Sequence, residues 1–170
     1  MLKKLSLTLF FCMSFSLNSL WSTTWSAQEV LVTDPNATFS QIGIANDDNA
    51  VSTFVIKGTS DFTLQSKVKT AGTWQNAVTI DTFEDISTVS NFSVNDNLSA
   101  GLAVIGTKTG EKPALYYYSF DGSSWSLDVM AAQTSQTLQS PSIALNQAGN
   151  VILSWIERVD GELRVKTQVK

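Results

Sequence analysis

Few side chains in this chain of 170 residues can do acid–base or nucleophilic chemistry. There is no histidine, and the single cysteine, Cys12, lies close to the N-terminus. Ser–His and Cys–His nucleophilic systems and the common zinc sites are thereby excluded. No glycine-rich phosphate loop or dinucleotide fingerprint is present. Carboxylates remain. Asp34, Asp81 and Asp128 fall at comparable places along the chain, and Glu84 adjoins Asp85. Two such groups facing each other across a cleft would make a glycosidase pair; dispersed over loops they are only solvated charges. Asp47, Asp48 and Asp96, with asparagines beside them, offer the oxygen ligands that calcium takes. The same residues form turns without any metal. The expectation is no catalytic residue, no metal and no cofactor.

The elements that must position these residues repeat. Pro141–Glu157 reads as a short strand, a tight turn and a more apolar second strand, and weaker copies occupy Gln41–Lys57 and Asn91–Thr107. Trp25, Trp74 and Trp125 open similar segments at spacings of 49 and 51 residues. Ile42, Phe92 and Ile143 share a column at spacings of 50 and 51. A self-similar period of this size signals a solenoid, a propeller or an array.

Composition agrees with an all-β chain. Hydrophobic residues make up 43% and charged ones 15%, which fits neither a disordered nor a membrane protein. Valine, isoleucine, threonine and aromatics favour strands. The net charge is −4, without a basic patch, so nucleic acid is not an expected partner. Residues 1–22 read as a signal peptide: Lys3 and Lys4 precede an apolar run, Leu5–Leu17, too short to span a bilayer. Cys12 follows Leu9-Phe10-Phe11, which lack the small residues of a lipoprotein cleavage site. After cleavage the chain is expected to be secreted or periplasmic, with no membrane association and no disulfide.

Residues 23–170 are expected to fold as one β-propeller-type repeat domain, with units at about 41–81, 91–131 and 141–170 and a separate N-terminal strand at 25–32. Each unit reads as up to four antiparallel strands joined by Asn, Asp and Gly turns. Strand two is apolar on both faces and strand three alternates, the pattern of a blade with one solvated strand. The tryptophan at the start of strand four is expected to fill the gap between blades. A β-sandwich is the alternative, but it leaves the fifty-residue period unexplained.

The chain resembles bacterial secreted proteins with a W-x-x-x-V…P-x-I-A-x-N-x-x-G-N-x-x-x-x-W repeat. Trp125, Val129, Pro141, Ile143, Ala144, Asn146, Gly149, Asn150 and Trp155 match. Phe54 and Val104 stand in the column of Trp155, and Asp48 and Leu98 in that of Gly149. The resemblance implies a β-propeller and is nearly silent on ligand. Ser119–Trp125 is also similar to the Asp-box of sialidase-like propellers but is one residue short, so sialidase chemistry is not carried over.

Three blades are fewer than a monomeric propeller uses. The strand at 25–32 is therefore expected to complete the last blade, within one chain or in a homodimer that closes a six-bladed ring; the alternatives are that the chain belongs to a larger parent assembly, or that its three units pack as a compact prism or an open sheet stack. Tyr116, Tyr118 and Phe120 stand on strand three of the second unit, where the other units carry Gln65 and Lys67 or Arg164 and Lys166. Aromatics in place of charges suggest a contact surface. On that reading Tyr116→Lys with Tyr118→Lys weakens binding and spares the fold. The expected function is a non-catalytic binding or scaffolding module that contacts carbohydrate or protein through blade loops. The alternatives are a glycan-processing hydrolase on the same scaffold and a non-functional fragment of a larger repeat protein.

Overall fold

Short β-branched and aromatic runs punctuated by Asn, Asp and Gly form hairpins in preference to helices. The computed structural model describes residues 29–46, 48–129 and 137–170, and among them it contains strands and turns with no helix. The signal peptide expected over 1–22, and Trp25, lie outside the described residues. From Leu31 onward the chain forms one compact unit of three antiparallel sheets, each a meander of consecutive strands. The first holds β1 (Ala37–Ile44), β2 (Ala50–Lys57) and β3 (Phe62–Thr70), with β4 (Thr73–Trp74) and β5 (Val78–Phe83) both paired to β3. The second holds β6 (Asp85–Val89) and β7 (Ser93–Val94) beside β8, followed by β8 (Ala100–Thr107), β9 (Ala114–Phe120) and β10 (Trp125–Val129). The third holds β11 (Leu138–Leu145), β12 (Val151–Val159) and β13 (Glu162–Val169). The fold is all-β and built of propeller-type blades, one per repeat, rather than the two sheets of a sandwich.

Strand alternation turns each blade into two faces. Val51, Val55 and Leu64 of the first blade pack on Ala100, Leu102, Val104, Tyr116 and Tyr118 of the second. The opposite face of the second blade, with Ala103, Ile105, Leu115 and Tyr117, packs on Ile143, Val151, Leu153 and Trp155 of the third. The column of Val104 and Trp155 therefore looks back at the preceding blade. Near-zero exposure of these side chains makes each interface a slice of core, with each fully buried apolar residue worth roughly 1.5–3 kcal/mol.

Polar side chains lock the innermost strands together. The Asn91 amide donates to the Ile143 carbonyl at 2.7 Å and accepts from the Ile143 N–H at 2.9 Å. One blade earlier, the equivalent Gln41 donates to the Ser90 carbonyl. Gly43 permits the closest approach: a Cβ there would stand 2.3 Å from Val94 Cγ2.

The repeat's Asn and Gly columns are turn chemistry. Asn146 Oδ1 accepts from the Asn150 N–H, and Asn95 Oδ1 accepts from those of Asn97 and Ser99. Gly149 has φ +85°, and its counterparts Asp48 and Leu98 are held at 61° and 63°. The left-handed region strains a residue with a Cβ. Exposed Asp48→Gly is therefore expected to stabilise the fold by about 0.5–1 kcal/mol. Thermal unfolding followed by circular dichroism should show a Tm higher by about 2 °C.

The structure corrects several expectations. Strand one is longer than expected in each blade: residues 37–40, 85–89 and 138–141 are also strand. Strand two of the third blade is buried on one face only, with Ile152 exposed on the other. Of the strand expected over 25–32, residues 29–32 carry no strand, and residues 25–28 lie outside the described ones. The Leu31 carbonyl instead accepts from Lys67 Nζ on β3 at 2.7 Å, and β12 is the paired neighbour of β13 among the described strands. Tyr116, Tyr118 and Phe120 are buried, at 2%, 1% and 5% exposure, and do not form a shared exposed contact surface on β9. The first blade packs against that face of the second, and so covers these side chains.

Candidate functional site

Trp125 anchors a large cleft among the described residues. It begins β10, where it pairs in register with Phe120 on β9. The two rings lie 5.2 Å apart, and the Phe92 ring lies 6.4 Å from the indole. Its Nε1–H donates to Ser66 Oγ on the first blade at 2.8 Å. The indole is thus held across the blade boundary while staying half-exposed. Beside it opens a cleft of about 500 Å³, bounded by β3, β5 and the segment at Gln75–Asn76 on one blade and the turn at Gly122–Ser124 on the other.

Sequence chemistry stiffens both walls. Gln75 donates from its backbone N–H to the Val68 carbonyl and from Nε2 to Thr70 Oγ1. On the other side Asp121 Oδ1 accepts from the N–H groups of Ser123 and Ser124 and from the Ser123 hydroxyl, each at 2.8 Å. Hydrogen bonds from the Ser124 N–H, the Ser123 hydroxyl and the Ser123 N–H, in that order, pull the Asp121 carboxyl down to about 2. A lowered folded value means that the carboxylate supports the turn fully above its unfolded value near 3.8 and loses that role as pH falls through about 2. The amide signals of Ser123 and Ser124 in an NMR titration are expected to move with a midpoint near 2, well below an ordinary aspartate.

None of the described residues lining the cleft is charged. Trp125, Phe120, Val78 and Ile80 give apolar surface; Gln75, Asn76, Thr79, Ser123 and Ser124 give amides and hydroxyls. Such a surface can stack against an apolar ring face and exchange hydrogen bonds with hydroxyls around its rim. Its hydroxyls are those of serine and threonine, and the described lining itself offers no histidine, lysine or carboxylate to activate them.

The carboxylates have other work. Asp81 on β5 accepts from the Tyr118 hydroxyl and pairs with Lys108, both at 2.6 Å. Partial burial pushes Asp81 up, but the Lys108 and Tyr118 hydrogen bonds, the Thr82 N–H and the Lys108 charge outweigh it and hold the carboxyl below its usual range. A general acid needs the opposite shift. Lys108 also lies 4.7 Å from the Tyr116 ring centroid, and the Tyr116 hydroxyl donates to Glu111. Burial, and then Glu111, push Tyr116 up to about 12. This network ties the first blade to the second. Asp34 Oδ1 accepts from the Asn36 N–H, and Asp128 pairs with Lys170. Glu84 sits in the turn between β5 and β6, and Asp85 is exposed on β6. These five carboxylates do not converge on one cleft.

Of the residues singled out in the sequence, Trp125 and Phe120 reach the cleft, whereas Tyr116 and Tyr118 belong to the core behind it. Trp74 lies on β4 with Lys69 Nζ 5.8 Å from its ring, and Trp155 fills the second blade interface. Ser66, Val78 and Thr79 joined the site unannounced, since Ser66 and Trp125 meet from 59 residues apart.

No protein-family model and no curated protein sequence matches this chain. Among solved structures it is similar to a fucose lectin from Kordia zhangzhouensis, determined in complex with methyl-fucoside. The identity is 14% and the TM-score 0.48, over 78% of this chain and 97% of the lectin.

Proposed function

We propose that this chain is a secreted or periplasmic, non-catalytic binding module that takes a neutral carbohydrate in the cleft between its first two blades. The cleft's lining carries the reading: an indole fixed at the blade boundary, further apolar surface beside it, amide and hydroxyl groups around it, and no charge. Sugars present the matching pair of surfaces, C–H faces for stacking and hydroxyls for hydrogen bonds. A charged ligand would leave its charge without a counter-group.

Titration of neutral mono- and disaccharides, followed by tryptophan fluorescence and calorimetry, tests the proposal. Binding is expected for at least one neutral sugar. Asn76→Ala with Ser123→Ala is expected to weaken it by about tenfold, as loss of one or two hydrogen bonds implies, while the loss of the exposed Ser123–Asp121 bond lowers the Tm by no more than about 2 °C. Affinity indifferent to these changes, or confined to charged sugars, would remove the cleft as the site.

A further inference from the structure

The innermost strands at the two ends of the blade stack carry the two halves of a contact that the chain already makes twice between its blades. In each blade the inner strand carries a small residue on its forward face and two apolar residues on its backward face. The small residue is Gly43 in the first blade, Ser93 in the second and Ala144 in the third; the apolar pairs are Ile42 and Ile44, Phe92 and Val94, Ile143 and Leu145. The register confirms the sides. Ile44 and Ile42 lie opposite Ala50 and Ser52, whereas Gly43 lies opposite Val51; Ala144 lies opposite Ile152 and Val169 lies opposite Ile152 on the other side.

Inside the chain every seat is filled. Val94 and Phe92 come up against Gly43 so closely that a Cβ there would meet both. Ser93 Oγ accepts from the Leu145 N–H at 3.0 Å, and Ile143 is buried beside it. At the two ends the same parts stand bare. Ile42 and Ile44 are 56% and 73% exposed, and on the third blade Ile152 and Val169 are 53% and 69% exposed. A hollow of about 220 Å³ opens there, lined by Ala144, Leu145, Ile152 and Val169 among others.

We propose that a second copy of this chain docks head to tail on the third blade, seating its Ile42 and Ile44 in the hollow over Ala144, Ile152 and Val169. Each copy bears one half of the contact, so the contact is heterologous: it closes a ring where the rotation allows and otherwise extends the stack. No exchange of strands is needed. The contact continues the packing seen between the first and second blades and between the second and third. It is also independent of the carbohydrate cleft, which lies within one chain.

Sedimentation of the purified chain and two single variants tests the proposal. Wild type is expected at twice the chain mass or more at micromolar concentration. Ile44→Asp and Ile152→Asp change exposed side chains, so each should keep its circular dichroism spectrum and fall to the chain mass. An equimolar mixture of the two variants retains one intact pair of faces and should return to twice the chain mass and go no higher. A monomeric wild type, a single variant that keeps the wild-type mass, or a mixture that stays monomeric would each overturn the proposal, the last by indicating a contact between like faces.

Discussion

Tyr116→Lys together with Tyr118→Lys is expected to abolish cooperative folding. Both rings are buried between the first two blades, where Phe83 meets them edge-on at 5.4 and 6.5 Å. Truncation of a buried aromatic costs about 3–5 kcal/mol through lost transfer energy and the cavity left behind. Lysine adds an ammonium to an apolar interface, and the Tyr118 hydroxyl is no longer there to donate to Asp81. Two such changes cost about 6–10 kcal/mol before the buried ammonium groups are counted, comparable to the roughly 5–15 kcal/mol that holds a typical domain together. Urea titration by circular dichroism should show a sigmoidal transition for wild type and none for the double variant. Tyr118→Phe keeps the ring and loses only its hydrogen bond to Asp81, so it should lower the unfolding free energy by about 1–2 kcal/mol and leave a single transition. A double variant that unfolds as wild type does would restore the exposed-surface reading of these tyrosines.

That reading came from a sound rule applied to the wrong neighbour. Alternation on β3 and β13 places Gln65, Lys67, Arg164 and Lys166 where water reaches, and the aligned Tyr116 and Tyr118 looked like aromatics on a wet face. Period two shows that a strand has two faces, but what covers each depends on the blade's place in the stack. The middle blade is covered on both, and all but one of the β9 side chains are buried. The fifty-residue period, the strand-turn-strand core of each unit and the bridging role of Trp125 were legible because they are local or repeat in register. The early part of strand one was not. In the first and third blades a bulge interrupts its alternation, with Phe39 and Ser140 at φ 50° in equivalent positions, and in the second blade the register shifts between Ile86 and Thr88. The cleft was legible only in part, since its walls belong to different repeats and no spacing within either one announces their meeting.

Trp155→Ala is expected to release the third blade while the first two stay folded. Trp155 is 5% exposed and packs with Leu115, Tyr117, Leu138 and Leu153 in the core between the second and third blades. Its loss should cost about 3–5 kcal/mol. In a stack of repeats that cost falls on one interface, because each unit touches only its neighbours. The third blade has three strands among the described residues and one packed face, so it has little else to hold it. The core between the first and second blades contains none of the affected contacts. Hydrogen exchange should show protection lost across Leu138–Val169 and kept in β2, β3, β8 and β9. Trp155→Phe separates volume from polarity. The indole Nε1–H is buried without a hydrogen-bond partner among the described residues, so replacing it removes a desolvated donor and offsets part of the lost packing. That variant should keep exchange protection close to wild type over the same strands. Global unfolding of Trp155→Ala, with protection lost equally in β2 and β12, would instead mean that the three blades fold as one cooperative unit.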